Sequence, residues 1–220
     1  MSSYPTQNYY RRGNYPVLSG CRQNNEILIR PLFRKHVDEM TAVANANLPL
    51  SYHRAFLERD FLNSSCRAYG AFTAHGRLIG LVFGSLEEPR PPIPVLQRFG
   101  LCPSKMFLVK ILAVDKPFRR QQIGRRLMNT ILEQLESCPN LRFGTQAIYL
   151  QVMSENLGAI ALYESLGFVI VTLIPQYYST HPRRDAYVMV RVLGNDSVHN
   201  KCQRANVQLG PITYEYLCNY

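Results

Sequence analysis

An arginine-rich loop between two apolar segments has the composition of a phosphate-binding site. Residues 114–126 read VDKPFRRQQIGRR and lead into an amphipathic segment that begins near Gly124. A loop that opens a helix presents unpaired N–H groups and the positive end of the helix dipole to an anion. The loop also carries the cationic side chains of Arg119, Arg120, Arg125 and Arg126. This pattern predicts a pyrophosphate site, although a basic helix start without a ligand would have the same composition.

A second motif follows at 156–168, which reads NLGAIALYESLGF. Asn156 stands at a predicted helix N-terminus, where its side chain can cap the helix. Tyr163 lies seven residues later, two turns along the same face. The functional interpretation gives Asn156 a contact with a cofactor arm and Tyr163 a proton for a leaving thiolate. The structural alternative is a capping asparagine followed by a core tyrosine.

Hydrophobic periodicity predicts a mixed α/β domain that positions both motifs. The predicted order is β-α-α-β-β-β-α-β-α-β-β, with helices interposed between strands. Strands are predicted at 26–30, 66–74, 77–83, 106–114, 147–152, 168–174 and 186–193. Helices are predicted at 34–45, around 56–61, at 123–135 and at 156–166. One core would span 26–194, between a disordered arm at 1–25 and an irregular tail at 195–220, with a proline-rich loop at 87–104.

Composition excludes several classes of protein. A hydrophobic fraction of 46% and a charged fraction of 18% are typical of a soluble globular domain. The six cysteines form no C-x-x-C pair, which argues against a zinc site and a disulfide framework. No apolar run approaches ~20 residues, so the sequence predicts no membrane span and a cytoplasmic location, with the nucleus as a second one. The net charge of +10 suits an acidic ligand, but no motif for binding nucleic acid is present.

The two motifs together resemble those of the GNAT acetyltransferases. In that superfamily a loop close to R-x-x-G-x-G opens a helix, and N-x-x-A-x-x-x-Y-x-x-x-G-F follows in the order seen here. Three further segments look like the NatE/NatF N-terminal acetyltransferases, namely LPLSY at 48–52, AIYLQV at 147–152 and QYY at 176–178. The resemblance covers 26–194. It implies a single GNAT domain whose mixed, mostly antiparallel sheet splays between the fourth and fifth strands.

The resemblance also implies the ligands and the residues that bind them. Acetyl-CoA would be the acetyl donor, without a metal, and the substrate would be a protein or peptide N-terminus that retains its methionine. A NatA-like auxiliary subunit or the ribosome would be a partner. The implied cofactor-binding residues are Leu112, Ala113, Val114, Arg119, Arg120, Gln121, Gln122, Ile123, Gly124, Arg125, Asn156 and Tyr163. The implied substrate-binding residues are Leu50, Tyr52, Lys110, Tyr177 and Tyr178.

Three positions depart from the family pattern. Leu108 stands where the family has a catalytic tyrosine, and Gln151 stands where it has a catalytic histidine. Neither side chain accepts a proton near neutral pH. Gln122 replaces the first loop glycine, while Gly124 is retained. The chain could therefore be an enzyme with a relocated base, an enzyme that relies on positioning, or a protein that binds acetyl-CoA without turnover.

Lys110 is the nearest cation to these departures. Alternation along a strand places 108, 110 and 112 on one face, which lines the substrate site in the resembled family. Lys110 could attract an acidic substrate side chain, such as that of a Met-Asp N-terminus, or act as a base if desolvated. Its stem could also pack in the sheet while the amine reaches solvent. His53 and Glu58 are the other candidate bases.

The departures favour an α-amine as the substrate. A free α-amine has a pKa of about 7.7–8.0, so a sizeable fraction is neutral without a strong base. A lysine side chain, with a pKa of about 10.4, depends far more on a base. The sequence therefore predicts N-terminal acetylation. Two alternatives remain open: a GNAT that acts on lysine side chains or small amines, and an inactive GNAT that serves as an interaction module.

Overall fold

The described residues contain seven strands and four α-helices, in the order that periodicity predicts. The computed structural model describes residues 26–62, 65–88, 105–137 and 147–193. The strands are β1 Leu28–Pro31, β2 Arg67–Phe72, β3 Leu78–Glu87, β4 Met106–Val114, β5 Ala147–Met153, β6 Val169–Tyr178 and β7 Arg184–Val192. The helices are α1 Val37–Asn47, α2 Arg54–Asp60, α3 Ile123–Ser137 and α4 Leu157–Glu164. The predicted arm, the predicted tail and most of the proline-rich loop lie outside the described residues.

The apolar positions that predicted the helices are the buried ones. In α1, Val37, Met40 and Ala44 are at most 1% exposed. The predicted stripe of α3 is equally buried and consists of Ile123, Leu127, Ile131 and Leu135. The largest differences in bounds are in β3 and β6, which each end four residues later than predicted, β3 at Glu87 and β6 at Tyr178. β6 continues because the hairpin with β7 still pairs at Tyr178 and Arg184.

The strands form one mixed sheet that opens between its fourth and fifth members. The order is β1-β2-β3-β4-β5-β7-β6, and only β4 and β5 run parallel within this sheet. Their pairing is limited to Phe107 with Ile148 and Leu108 with Tyr149. β4 continues for six residues beyond Leu108 without β5 beside it. The predicted splay between the fourth and fifth strands is therefore confirmed.

A bulge at Lys110 changes which β4 side chains share a face. Phe83 pairs with Ile111 and the next residue, Gly84, pairs with Val109, so Lys110 is an extra residue on β4. Before the bulge, Leu108 faces the same side as Lys110. After it, Leu112 packs on the opposite side, in the cluster formed with α3 and α4. The expectation that 108, 110 and 112 share a face is therefore wrong, because a bulge shifts the alternation by one residue.

The helices cover the sheet on both faces. Side chains of α3 and α4 form one apolar cluster with strands on one face of the sheet. Side chains of α1 and α2 form a second cluster with β2, β3 and β4 on the opposite face. Among the described residues, no helix is long and apolar enough to cross a membrane. The fold thus leaves the gap between β4 and β5 flanked by α3 and α4 on one side and by the α1–α2 loop on the other.

Candidate active site

A cavity of about 600 Å³ lies where β4, the loop that follows it, α3 and α4 meet. All but one of the predicted cofactor-binding residues line it: Leu112, Ala113, Val114, Arg119, Arg120, Gln122, Ile123, Gly124, Arg125, Asn156 and Tyr163. The exception is Gln121, whose amide donates to the Pro117 carbonyl oxygen instead. Arg126 also turns away, and its guanidinium donates to the Ile27 carbonyl oxygen at 2.8 Å. Two distant sequence motifs are therefore brought together around one space.

The wall formed by β4 includes an unpaired edge of that strand. Leu112, Ala113 and Val114 line the cavity, and no described strand pairs with the β5-facing edge of β4 beyond Leu108. Backbone N–H and C=O groups on such an edge need partners. An extended ligand with amide groups, such as a pantetheine arm, can supply them in the manner of an added strand.

The loop before α3 has the backbone shape of an anion cradle. Arg120 and Gln122 adopt φ angles of 64° and 62°, a left-handed conformation that is costly for residues other than glycine. Turns of this kind direct successive N–H groups towards one point. Gln122 thus takes the left-handed conformation at the position where the family pattern has glycine.

Gly124 has room for a side chain, yet carries none. A Cβ atom built there would meet only Cδ2 of Leu162, at 3.4 Å, which is ordinary van der Waals contact. Its φ angle also lies outside the left-handed region. Neither the packing nor the backbone therefore requires glycine at this position. Close approach of a ligand to the backbone at the start of α3 would require it, so the cradle fits a pyrophosphate.

The arginines of the loop are oriented by different partners. Arg119 donates from Nε to the Val114 carbonyl oxygen at 2.9 Å and from a terminal nitrogen to Asn47 Oδ1 at 3.1 Å. Arg125 bonds to Ser165 Oγ at 2.7 Å, beside the end of α4. Arg120 makes no side-chain hydrogen bond or ion pair with the described residues, so its guanidinium is available to an anion.

Asn156 and Tyr163 lie on the cavity side of α4. Asn156 Oδ1 accepts a hydrogen bond from the Ala159 N–H at 3.2 Å, so it caps the helix as well as lining the cavity. Tyr163 is 8% exposed and packs against Phe168, with ring centroids 5.8 Å apart. Burial raises the pKa of the Tyr163 hydroxyl well above 10.0, and nearby Tyr52 adds to the rise. The hydroxyl therefore keeps its proton throughout the physiological range, as a general acid must.

Three more tyrosines surround Tyr163 on the side of the predicted substrate. Burial raises the pKa of Tyr52, Tyr177 and Tyr178, and Tyr178 is also influenced by the other three hydroxyls, including that of Tyr163. The rings of Tyr177 and Tyr178 meet edge to face at 5.0 Å. We call these four residues the tyrosine cluster. It joins the cofactor cavity to the α1–α2 loop, which also carries half-buried Leu50, and to the β6–β7 hairpin.

Leu108 and Gln151 lie where β4 and β5 part. Leu108 is the last β4 residue that pairs with β5, and its partner is Tyr149. Gln151 follows Tyr149 by two residues and therefore lies on the same face. Leu108 packs into the apolar cluster that contains Tyr149. The structure thus brings the two departures from the family pattern together, at a point with an apolar side chain and an amide.

Lys110 is enclosed by two carboxylates. Its ammonium group forms ion pairs with Asp60 of α2 and Glu87 of β3, and it lies 5.6 Å from the ring centroid of Phe56. The Lys110 side chain is 11% exposed, so its amine does not reach solvent as one interpretation required. The two carboxylates offset the positive charge of the ammonium group, so Lys110 would not attract an acidic substrate side chain. The expected preference for Met-Asp N-termini therefore loses its physical basis.

The two other candidate bases differ in their surroundings. Glu58 accepts hydrogen bonds from Nε and a terminal nitrogen of Arg54, at 3.1 and 3.0 Å. That pair engages its carboxylate on the surface of α2. His53 is exposed and precedes α2 without a capping side-chain hydrogen bond. Among the described residues, no group of three or more His, Cys, Asp or Glu side chains could hold a metal ion.

Sequence reasoning missed Asn47, Asp60 and Glu87. Asn47 lines the cavity from the end of α1, and the two acids hold Lys110. No local pattern identifies them, since Asp60 and Lys110 are 50 positions apart and Asn47 and Arg119 are 72 apart. The only signal was a polar residue just before the LPLSY segment.

Comparison with known proteins gives a consistent result. Residues 32–168 match the model of the acetyltransferase (GNAT) family. The chain is 40% identical over 79 residues to the ribosomal protein bS18-alanine N-acetyltransferase of Escherichia coli K12, covering 36% of this chain and 50% of that protein. It is 26% identical over 143 residues to N-alpha-acetyltransferase 30 of Dictyostelium discoideum, covering 65% and 68%. The chain spans about half the length, or less, of the first bacterial relatives that it matches.

A solved structure shows the same fold. NAA60 of Arabidopsis thaliana in complex with acetyl-CoA superposes with a TM-score of 0.67 at 20% identity, covering 77% of this chain and 100% of that one.

Proposed function

The chain belongs to the acetyltransferase (GNAT) family, and from that premise we propose that it transfers the acetyl group of acetyl-CoA to the α-amine of protein N-termini. Members of this family use acetyl-CoA as the acetyl donor and need no metal. The cofactor supplies an activated acetyl thioester to the cavity. Relatives named as N-terminal acetyltransferases support the acceptor side of the proposal.

The observation that carries the proposal is the position of the tyrosine cluster between the cofactor cavity and the segments that carry Tyr52, Tyr177 and Tyr178. Tyr163 lines the cofactor cavity and is the electrostatic neighbour of Tyr52 and Tyr178 on the opposite side. A peptide that enters between the α1–α2 loop and the β6–β7 hairpin would therefore bring its first residue to Tyr163. The aromatic walls suit an apolar first side chain such as methionine.

The donor residues act mainly by binding and orientation. The N–H groups of the loop before α3 and the guanidinium groups of Arg119 and Arg120 would hold the pyrophosphate. The open edge of β4 at Leu112 and Val114 would hold the pantetheine arm. Tyr163 keeps a proton on its hydroxyl oxygen beside the point where a thiolate would leave, because burial raises its pKa.

The chemistry of the acceptor explains how Leu108 and Gln151 can be tolerated. At about pH 7.4, roughly 20–35% of α-amines with a pKa of about 7.7–8.0 are neutral, compared with about 0.1% of lysine side chains. An α-amine therefore arrives ready to attack about 200–350 times more often, as follows from the same pKa values. Holding it against the acetyl group can supply much of the remaining rate.

The test is acetyl transfer from labelled acetyl-CoA to peptides that vary in their first two residues. Each peptide has two matched controls: one blocked at its N-terminus with an internal lysine, and one with a free N-terminus and no lysine. We expect transfer only to free N-termini, without a preference for Met-Asp or Met-Glu, because Lys110 is already paired. Transfer to blocked peptides would establish a lysine acetyltransferase. Binding of acetyl-CoA without transfer to any peptide would establish a non-catalytic module. The absence of a proton acceptor at Leu108 would then explain the lack of activity.

We further propose that the protein works in the cytoplasm, with a nuclear pool, either on nascent chains at the ribosome or with an auxiliary subunit. Fractionation of cells that express the tagged chain tests this. Recovery with membranes in a form that resists salt extraction would contradict the proposed location.

A further inference from the structure

The last turn of α1 contacts both halves of the site through two asparagines. Asn47 Oδ1 accepts a hydrogen bond from Arg119 at 3.1 Å, and Asn47 Nδ2 donates to Asp115 Oδ1 at 2.7 Å. Asn45, two residues earlier, brackets the backbone of Tyr52. Its Oδ1 accepts from the Tyr52 N–H at 2.7 Å, and its Nδ2 donates to the Tyr52 carbonyl oxygen at 3.1 Å.

Only an amide satisfies the surroundings of Asn47. The Asp115 carboxylate can only accept a hydrogen bond, and the Arg119 guanidinium can only donate. Nδ2 faces the acceptor and Oδ1 faces the donor, so the orientation of the amide is determined by its neighbours. An aspartate here would oppose the Asp115 carboxylate, and an alanine would leave both partners without this contact.

The two partners of Asn47, Arg119 and Asp115, lie on the cofactor side of the site. Arg119 is bonded through Nε to Val114 as well as to Asn47, which leaves the rest of its five N–H donors for a phosphate in the cavity. Asp115 is fixed from behind by Arg77, at 2.8 Å. An anion that contacts Arg119 would therefore also act on its hydrogen-bond partner Asn47.

The group that Asn45 holds belongs to the acceptor side. Tyr52 is a member of the tyrosine cluster, and its backbone is pinned to α1 by both hydrogen bonds from one side chain. Asn45 and Asn47 are two residues apart in the last turn of α1. A ligand that reduces the motion of this turn at Asn47 would therefore also reduce the motion of Asn45.

We propose that the last turn of α1 couples acetyl-CoA binding to the acceptor loop, with Asn47 as the positioning residue on the donor side and Asn45 on the acceptor side. The inference rests on the proposed function. Binding of acetyl-CoA at Arg119 orders Asn47, and through Asn45 it fixes Tyr52 for the incoming peptide. Since such coupling is reciprocal, the peptide raises the affinity for the cofactor by the same factor.

Hydrogen exchange measures this coupling without depending on turnover. With saturating acetyl-CoA, we expect slower amide exchange in both 119–125 and 48–56 of the parent chain. Asn47→Ala should keep the protection at 119–125 and lose the increase at 48–56. Asn47→Leu, which keeps a similar side-chain volume but offers neither donor nor acceptor, should behave alike and guards against a packing defect in the alanine variant. Thr41→Ala is the matched control, because it removes a side-chain bond to Val37 within α1 that reaches neither loop.

Peptide titrations give the second measurement. CoA should tighten binding of an accepted peptide by at least about fivefold in the parent chain, a modest coupling by general standards. The factor should fall towards one in Asn47→Ala and remain in Thr41→Ala. Protection at 119–125 without protection at 48–56 in the parent would overturn the coupling and leave the proposed function intact. Protection at neither segment would overturn the proposed cofactor site itself, and the coupling with it.

Discussion

The donor half and the acceptor half of the site are built from different materials. The donor half offers backbone as well as side chains: the open edge of β4, the loop before α3 and the starts of two helices lie beside the loop arginines. The acceptor half consists of side chains, namely the tyrosine cluster, Leu108, Gln151 and the enclosed Lys110. The two halves respond differently to departures from the family pattern.

A backbone site keeps its function when a side chain changes, provided that the conformation is kept. Gln122 replaces a glycine and still adopts a φ angle of 62°, so the direction of the N–H groups is preserved. A side-chain site has no such reserve. Replacement of a tyrosine and a histidine by Leu108 and Gln151 removes the proton acceptors themselves. The following predictions test this difference, from the largest expected effect to the smallest.

Lys110→Met should destabilise the fold by up to about 3–5 kcal/mol, because it leaves the largely buried Asp60 carboxylate with only a long ion pair to exposed Arg59, at 3.9 Å. Urea unfolding measures the change. Lys105→Met is the matched control at an exposed position, and it should have little effect. The double variant Lys110→Met/Asp60→Asn should recover part of the loss. Parent-like stability of Lys110→Met would show that the ion pairs of Lys110 with Asp60 and Glu87 do not stabilise the fold.

Gly124→Glu should abolish the rise in Tm that acetyl-CoA causes, since it places an anion against the pyrophosphate. At 100 times Kd, the lost stabilisation would be about 2.7 kcal/mol. The melting temperature without ligand should change little, because a Cβ at this position meets only Leu162 at 3.4 Å. Gly124→Ala is the smaller companion change and should weaken binding less. If Gly124→Glu responded to acetyl-CoA as the parent does, the loop before α3 would not be the pyrophosphate site.

Tyr163→Phe should lower kcat by about 100-fold, the lower end of the range for general acid catalysis. Acetyl-CoA affinity should change less, since the ring still packs against Phe168. In the parent, kcat/KM for the peptide should rise through the α-amine pKa of about 8. It should show no alkaline loss before pH 10.0, because burial raises the pKa of Tyr163 above that value and the hydroxyl stays protonated. Equal kcat in both proteins would make Tyr163 a core residue.

Leu108→Tyr combined with Gln151→His should raise turnover severalfold, with the gain largest below the α-amine pKa, where a base matters most. Leu108 packs in an apolar cluster, so accommodating the larger ring should cost about 1–3 kcal/mol of stability. Stability is therefore measured alongside activity. A folded double variant with parent activity at every pH would show that these positions do not face the attacking amine.

Gln122→Gly should have the smallest effect. Glycine relieves about 1–2 kcal/mol of left-handed strain but costs about 0.5–1 kcal/mol in chain entropy, so stability should rise by about 1 kcal/mol or less. Acetyl-CoA affinity, measured by calorimetry, should stay within about twofold, because the N–H directions are unchanged. A large gain in affinity would mean that the glutamine side chain obstructs the cradle.

The sequence by itself determined the element order, the helical faces and eleven of the residues that line the donor cavity. These features depend on local signals: periodicity within one segment, a glycine at a helix start, and an asparagine seven residues before a tyrosine. The donor lining is contributed mainly by two short stretches, 112–125 and 156–165, so a motif within each stretch was enough to locate the cavity.

The side chains of the acceptor half were also named from the sequence, but only the tertiary structure decided what surrounds Lys110 among them. Lys110 was assigned to the wrong neighbours because the bulge that reorients β4 depends on its register with β3. Its partner Asp60 comes from a helix 50 positions earlier, and Asn47 reaches Arg119 across 72 positions. Contacts between such distant residues depend on how elements pack, which leaves no trace in local spacing. The charge that a site presents to its substrate is therefore set by the fold, even where the chemistry of the cofactor can be read from the chain.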